Sequence, residues 1–139
     1  MTNLQPAAAT TLATWHRMVA ARDLTGLRAL LHPEAVFRSP MAVTPYRPAE
    51  AVVLLLTTVL GVLEDFTYHR ELTDGDNAML EFSARVGDRT LKGIDLIRFD
   101  AAGLIVDFEV MVRPLSGLQA LGAEMGARVG AQLAAFKAT

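Results

Sequence analysis

Four strand-like segments in the second half of the chain constrain its fold more than any other feature. They are rich in β-branched and aromatic residues, and they cover residues 66–73, 78–86, 90–99 and 104–112. The breaks between them are the turn sequences Asp74-Gly75-Asp76-Asn77, Gly87-Asp88 and Asp100-Ala101-Ala102-Gly103. Breaks this short join antiparallel neighbours, and the two-residue Gly-Asp break suits a type II′ hairpin. The pattern therefore predicts a four-stranded antiparallel meander.

The first half of the chain has helical periodicity instead. Apolar positions at helical spacing predict a helix from Thr10 to Ala21 and a short second helix capped by Asp23. We expect His32-Pro33 to end that second helix, because a residue that precedes proline disfavours the α-helical region. A brief strand over residues 35–38 and a third helix over residues 48–64 follow.

The two ends of the chain complete one predicted domain over residues 1–139. Residues 1–9 are typical of a short mobile lead-in. Ser116 and Gln119 have the spacing of a capping box and begin a predicted C-terminal helix over residues 116–136. Three glycines repeat every fourth residue in that helix, which favours close packing across a pocket mouth or onto a second subunit.

Composition and charge exclude several classes of function. The chain is 52% hydrophobic, above the roughly 45–50% of an average globular protein, so a lined cavity or a dimer interface must absorb apolar surface. The net charge of -2 and the lack of a Lys/Arg run argue against a nucleic-acid partner. The longest apolar stretch, Ala49 to Leu63, is shorter than the ~20 residues that span a bilayer. The lack of cysteine fits a cytoplasmic protein.

No motif for a metal or a cofactor is present. The three histidines, His16, His32 and His69, do not have the spacing of metal ligands. The chain also lacks Gly-x-Gly-x-x-Gly and any phosphate loop. We therefore expect neither a metal nor a nucleotide cofactor.

Three stretches carry a resemblance to a known family: residues 21–27 (ARDLTGL), 32–40 (HPEAVFRSP) and 94–100 (IDLIRFD). With the order of elements over residues 10–114, they resemble the nuclear transport factor 2-like superfamily, in particular its polyketide-cyclase (SnoaL-like) and ketosteroid isomerase branches. The resemblance implies a cystatin-like α+β fold in which a curved antiparallel sheet wraps the N-terminal helices as a cone. It also implies a homodimer and an apolar ligand inside the cone.

The ketosteroid isomerase pattern is only partly present. By the resemblance, Asp95 falls on that family's oxyanion-hole aspartate, whereas Trp15 replaces the tyrosine and Ser39 replaces the base aspartate. Ser39 is then mainly a turn hydroxyl that satisfies the backbone of its loop. Two of the three roles are lost, so the sequence argues against steroid isomerase activity itself.

Asp95 is the strongest candidate for chemistry. Gly93, Asp95 and Ile97 share one strand face, and a carboxyl group that points into an apolar cone must be protonated or paired. We expect a partner among Trp15, Tyr46 and Arg113. By the resemblance, Arg113 lies near the pocket mouth, where the cyclase-like branch has an aspartate, which favours a ligand with an acidic group.

The sequence supports two functional hypotheses. The first is a ligand site, and in an enzyme Asp95 would be the acid or oxyanion partner in isomerisation, cyclisation or dehydration of an apolar carbonyl compound. The second is a non-catalytic binding or dimerisation module. The predicted ligand-binding residues are Trp15, Phe37, Met41, Tyr46, Leu80, Phe82, Ile97 and Arg113.

Overall fold

The computed structural model describes residues 3–136, which form an α+β fold. Its elements, in chain order, are α1 (Pro6–Ala21), β1 (Leu31–Arg38), α2 (Ala49–Val62), β2 (Glu64–Asp74), β3 (Asn77–Val86), β4 (Arg89–Phe99), β5 (Ile105–Arg113) and α3 (Leu115–Leu133). Single 3₁₀ turns occupy Leu27–Leu30 and Ala134–Phe136. Within residues 3–136, no helix is long and apolar enough to cross a membrane.

The five strands form one curved sheet in the order β1-β5-β4-β3-β2. The meander predicted from the turn sequences is confirmed, since β2, β3, β4 and β5 pair antiparallel in sequence order. Gly87 has a φ of +60° between the paired residues Val86 and Arg89, as the first position of a type II′ turn requires. The sheet is not wholly antiparallel, because β1 adds to β5 in parallel.

The start of the chain is more ordered than we expected. The predicted mobile lead-in over residues 1–9 is wrong from residue 3 onwards, while residues 1 and 2 lie outside the described residues. Leu4 is buried, and Gln5 caps α1 by accepting hydrogen bonds from the backbone N–H groups of Ala7 and Ala8. Gln5 Nε2 also donates to the carbonyl of Asp100, which ties this segment to the turn before β5.

Three local expectations need correction. The predicted second helix is a single 3₁₀ turn, because Asp23 accepts hydrogen bonds from Thr25 and stabilises a local turn. Pro33 does not end a helix but lies within the edge strand β1, where a proline is tolerated beside a break in register. α3 begins at Leu115 without a side-chain cap, so the predicted capping box at Ser116 is wrong.

The inner face of the sheet wraps around α1 to form the core. Phe108 of β5 is fully buried, and its ring lies edge-on to Trp15 of α1 with centroids 5.3 Å apart. Leu80 and Ile97 fill the same face of β3 and β4. Helices α2 and α3 pack over the open side of this cone.

Gly93 is a position where the sheet leaves no room for a side chain. A Cβ atom there would stand 2.3 Å from the Met111 carbonyl oxygen and 2.6 Å from Cζ of Phe82. We expect Gly93→Ala to lower the free energy of unfolding by at least about 2 kcal/mol, because backbone cannot yield as a side chain can. In the control Gly126→Ala, nothing lies within 4 Å of the new methyl group, and helix propensity should raise stability by up to about 1 kcal/mol. Urea unfolding measures both changes, and equal stability of the two variants would contradict this packing.

The outer face of the sheet carries an apolar stripe, for which we propose that a second copy of the chain is the partner. Its members alternate with inward residues and are Leu72, Met79, Ile94, Leu96 and Met111. A solvated sheet face is ordinarily polar, so this stripe favours burial in a homodimer.

Sedimentation of the purified chain should accordingly give about twice the 15.0 kDa of one subunit. Leu96→Glu places an uncompensated charge in the centre of the stripe and should convert the dimer to a monomer. Thr57→Glu, on the exposed side of α2, is the matched control and should leave the dimer intact. A wild-type monomer at micromolar concentration would rule the dimer out.

Candidate active site

A cavity of about 220 Å³ lies between the inner face of the sheet and the three helices. Its wall is almost entirely apolar, with aliphatic side chains from α2 and α3 facing aromatic side chains from α1 and the strands. Of the residues predicted for the site, those that line the cavity are Trp15, Phe37, Met41, Tyr46, Phe82 and Asp95.

Three of the residues predicted for the site lie elsewhere. Leu80 and Ile97 face inward but are packed in the core, further along their strands than the cavity. Arg113 lies on the outer face of the sheet, because it is two residues beyond Met111 and the strand period of two turns both outward. The guanidinium therefore cannot reach the cavity, and the reasoning from the resemblance that placed it at the pocket mouth is corrected.

Asp95 is 6% exposed and extends from the centre of β4 into the cavity. Its Oδ2 accepts a hydrogen bond from the hydroxyl of Tyr68 at 2.6 Å. The same hydroxyl accepts a hydrogen bond from the indole Nε1 of Trp15 at 3.0 Å. The partner of Asp95 is thus Tyr68, and neither Tyr46 nor Arg113 hydrogen-bonds to it.

Sequence reasoning missed Tyr68, although a signal was present. Phe66 and Tyr68 alternate on β2 between polar residues, which indicates a shared inward face. The ring of Tyr68 is held edge-on between Phe66, at 4.8 Å, and His16, at 5.2 Å. These contacts fix the hydroxyl of Tyr68 over Asp95.

The electrostatics of Asp95 follow from its burial. Burial raises the pKa of Asp95 to about 7, and the hydrogen bond from Tyr68 acts in the opposite direction because it stabilises the carboxylate. Burial, followed by the nearby charge of Asp95, raises the pKa of Tyr68 well above its usual value. At neutral pH the tyrosine therefore keeps its proton, while Asp95 is populated in both protonation states.

Three polar atoms of the lining remain open for a ligand. Oδ1 of Asp95 has no hydrogen-bond partner among residues 3–136, and the hydroxyl of Tyr46 likewise makes no hydrogen bond there. Ser39 accepts a hydrogen bond at Oγ from the backbone N–H of Met41 at 3.0 Å, the turn role expected for it, and its hydroxyl proton is still available.

The structure explains why one of the three α3 glycines has no side chain. A Cβ at Gly122 would lie 2.7 Å from Cε of Met41, so the small residue lets this methionine pack at the mouth of the cavity. Gly126 also lines the cavity, but neither it nor Gly130 has an atom within 4 Å of an added Cβ. Close packing across the mouth is therefore found at Gly122.

The histidines lie outside this cavity. His16 contacts Glu71, His69 contacts Ser83, and His32 accepts a hydrogen bond from the backbone N–H of Glu34. Within the described part of the chain, no group of three or more His, Asp or Glu residues could hold a metal ion.

Asp95→Asn should change how the stability of the protein depends on pH. The folded pKa of about 7 exceeds the unfolded value of about 3.9, so the stability contributed by the neutral acid is complete below about pH 4 and is lost as pH rises through 7. A difference of about three units corresponds to about 4 kcal/mol in full, of which about 1 kcal/mol is already lost at pH 4.5, so the asparagine variant should gain about 3 kcal/mol of stability relative to the wild type between pH 4.5 and pH 8. Urea unfolding at the two pH values tests this. A stability difference that is the same at both would show that Asp95 does not titrate in this range.

Comparison with known proteins places this geometry in a family. Residues 12–108 match the SnoaL-like domain family. A crystal structure described as a steroid delta-isomerase from Pseudomonas aeruginosa is 63% identical, with a TM-score of 0.92 over 96% of this chain and 99% of that one. An uncharacterised protein with a cystatin-like fold from Silicibacter pomeroyi DSS-3 is 34% identical, with a TM-score of 0.84 over 91% of each chain. No curated protein matches the chain significantly.

More distant structures share the fold alone. A nuclear transport factor 2-like protein of unknown function from Mesorhizobium loti is 19% identical, with a TM-score of 0.70 over 82% of this chain and all of that one. The SnoaL-like branch expected from the sequence is confirmed by the family match, and the cone-shaped α+β fold is confirmed by the structural matches. With a family match that spans most of its length, this chain belongs to the SnoaL-like domain family.

Proposed function

We propose that this chain is an acid-base isomerase that acts on a small apolar carbonyl compound bound in the cavity. One observation carries the proposal: the carboxyl group of Asp95 is buried in an apolar wall, with one oxygen held by Tyr68 and the other open. Similarity to the Pseudomonas aeruginosa protein described as a steroid delta-isomerase supports the same class of reaction.

In this proposal Asp95 acts as the base, whereas the sequence had suggested an acid or an oxyanion partner. An isomerase needs a group that takes a proton and returns it, and among the described residues of the cavity wall no other carboxylate and no imidazole is available. Ser39 stands where the resemblance expects the base aspartate, and a serine without a neighbouring base cannot take this role. A pKa of about 7 for Asp95 suits proton transfer at neutral pH.

The proposed reaction moves a double bond into conjugation. Ionised Asp95 removes a proton from the carbon between the carbonyl group and the double bond, the C–H electron pair forms a new carbon–carbon double bond, and the carbonyl π pair moves to oxygen. The electron pair on oxygen then re-forms the carbonyl group, and the new carbon–carbon double bond moves to the neighbouring pair of carbons, next to the carbonyl group. The carbon at the far end of the original double bond takes the proton from Asp95. The substrate is neither oxidised nor reduced, and Asp95 returns to its ionised form. Cyclisation or dehydration of a carbonyl compound would use the same proton transfer.

A non-catalytic ligand-binding or dimerisation module is the second candidate. The loss of the aspartate at the position of Ser39 favours it, because two carboxyl groups normally share the work in the ketosteroid isomerase branch. Such a module would keep the cavity and show no turnover. A cytoplasmic location, suggested by the lack of cysteine, belongs to either proposal.

The isomerase proposal can be tested with cyclohex-3-enone, whose conversion to cyclohex-2-enone raises ultraviolet absorbance. We expect kcat/KM to rise with pH and to level off above about 7, because the base must be ionised. Asp95→Asn should lower kcat/KM by at least about 100-fold. Tyr68→Phe removes the hydrogen bond that lowers the pKa of Asp95, so the midpoint of its profile should move to higher pH.

Each contrary result would support a different role for Asp95 or a different function for the protein. A rate that falls as pH rises through 7 would make Asp95 an acid rather than a base. Turnover that survives Asp95→Asn would remove the proposed mechanism, and no turnover by the wild type would favour the binding module.

A further inference from the structure

The proposed reaction also requires a hydrogen-bond donor, because negative charge develops on the carbonyl oxygen and has to be stabilised. The inference that follows rests on the proposed function. Trp15 and Tyr68 cannot supply the donor, since the indole N–H is directed to Tyr68 and the Tyr68 proton is directed to Asp95. The hydroxyl groups of Ser39 and Tyr46 are the remaining side-chain donors in the described cavity wall.

Tyr46 is placed to fill this role. Its backbone N–H and carbonyl both pair with Phe37 at 2.9 Å, so a residue of an irregular loop is anchored to β1. Its half-buried side chain lines the cavity and makes no hydrogen bond within residues 3–136. The hydroxyl of Tyr46 is thus a positioned donor without a partner in this range, and it can hydrogen-bond to an oxygen atom of a bound ligand.

Ser39 fits the role less well. Its short side chain is engaged in the local turn, where Oγ accepts the backbone N–H of Met41 at 3.0 Å. A phenol also reaches further than a serine hydroxyl and is the stronger hydrogen-bond donor. Of the two free hydroxyl groups, Tyr46 is therefore the better match for a carbonyl oxygen.

The cavity also restricts the charge and size of the ligand. Among the described residues of its wall there is no lysine, arginine or histidine, and an ionised Asp95 would repel a carboxylate. The volume of about 220 Å³ is below the roughly 300–1,000 Å³ of pockets for drug-sized ligands. Since an apolar cavity of about 150 Å³ holds benzene, the space suits one substituted ring.

We propose that Tyr46 is a second catalytic residue, which donates a hydrogen bond to the carbonyl oxygen of a neutral, single-ring ketone. Tyr46 thereby selects a ketone over a hydrocarbon of the same shape. The absence of a cation in the described wall selects a neutral ketone over a carboxylate.

Binding can be measured without turnover, because the single tryptophan of the chain, Trp15, lines the cavity and its fluorescence reports a ligand. The probes are cyclohex-2-enone, cyclohexene and cyclohex-3-ene-1-carboxylate at pH 8. Wild-type protein should bind the enone about fivefold or more tightly than cyclohexene, and Tyr46→Phe should abolish that preference. The carboxylate should bind at least about tenfold more weakly than the enone.

Two controls separate a local effect from a loss of fold. Thr57→Val removes an exposed hydroxyl from α2 and should bind all three probes as the wild type does. Tyr46→Phe should keep the wild-type unfolding midpoint, and the comparison of enone with carboxylate in wild-type protein needs no variant.

Turnover of cyclohex-3-enone distinguishes failure of this inference from failure of the proposed function. Tyr46→Phe should lower kcat/KM by about 100-fold. An unchanged kcat/KM and an unchanged preference for the enone in this variant, while Asp95→Asn is inactive, would overturn the inference and leave the isomerase proposal standing. Lack of any enone preference in the wild type, or equal binding of the carboxylate, would also overturn it. Turnover that survives Asp95→Asn would instead remove the proposed function.

Discussion

The burial of one carboxyl group in an apolar cavity is the constraint on which the rest of the site depends. Asp95 is removed from water and, within residues 3–136, receives a single hydrogen bond, from Tyr68 at 2.6 Å. Burial disfavours its charge, so ionisation moves towards neutral pH, where the group can both accept and release a proton. The burial that lowers the stability of the fold when Asp95 ionises also gives its carboxyl group a pKa that suits proton transfer.

The hydrogen-bond chain from Trp15 through Tyr68 to Asp95 joins three elements that are distant in sequence. It ties α1 to β2 and β4 in the wall of the cavity. The indole N–H of Trp15 donates to Tyr68, and the hydroxyl of Tyr68 donates to Asp95. These two groups therefore set the position and acidity of Asp95 and are not available to a ligand oxygen. The reacting carboxyl is thus supported by neighbours that are held by ring packing.

Members of the ketosteroid isomerase branch divide the chemistry between a base aspartate and an oxyanion hole of a tyrosine and a protonated aspartic acid. By the resemblance, Ser39 stands at the base position of this chain and Trp15 at the tyrosine position. The proposed arrangement gives proton transfer to Asp95 and assigns the donor to the carbonyl oxygen to Tyr46, on the loop that pairs with β1. A shared cone can therefore support a different assignment of roles, since function depends on the site rather than on the fold.

The sequence by itself determined the meander and the inward face of β4, because turn residues and the alternation of side chains are local properties. Those properties identified Asp95 as an inward carboxyl, whereas the resemblance implied that Trp15 lies near it. They did not place Arg113, for which a position taken from the resemblance conflicted with the strand period that turns the side chain outward. Only the tertiary structure decided that Tyr68 is the partner of Asp95, because the two lie 27 residues apart and meet through a sheet register with a bulge in β2. The pKa of the carboxyl and the lack of a partner for the Tyr46 hydroxyl within residues 3–136 also depend on that packing, since both are set by contacts between elements and not by the order of residues.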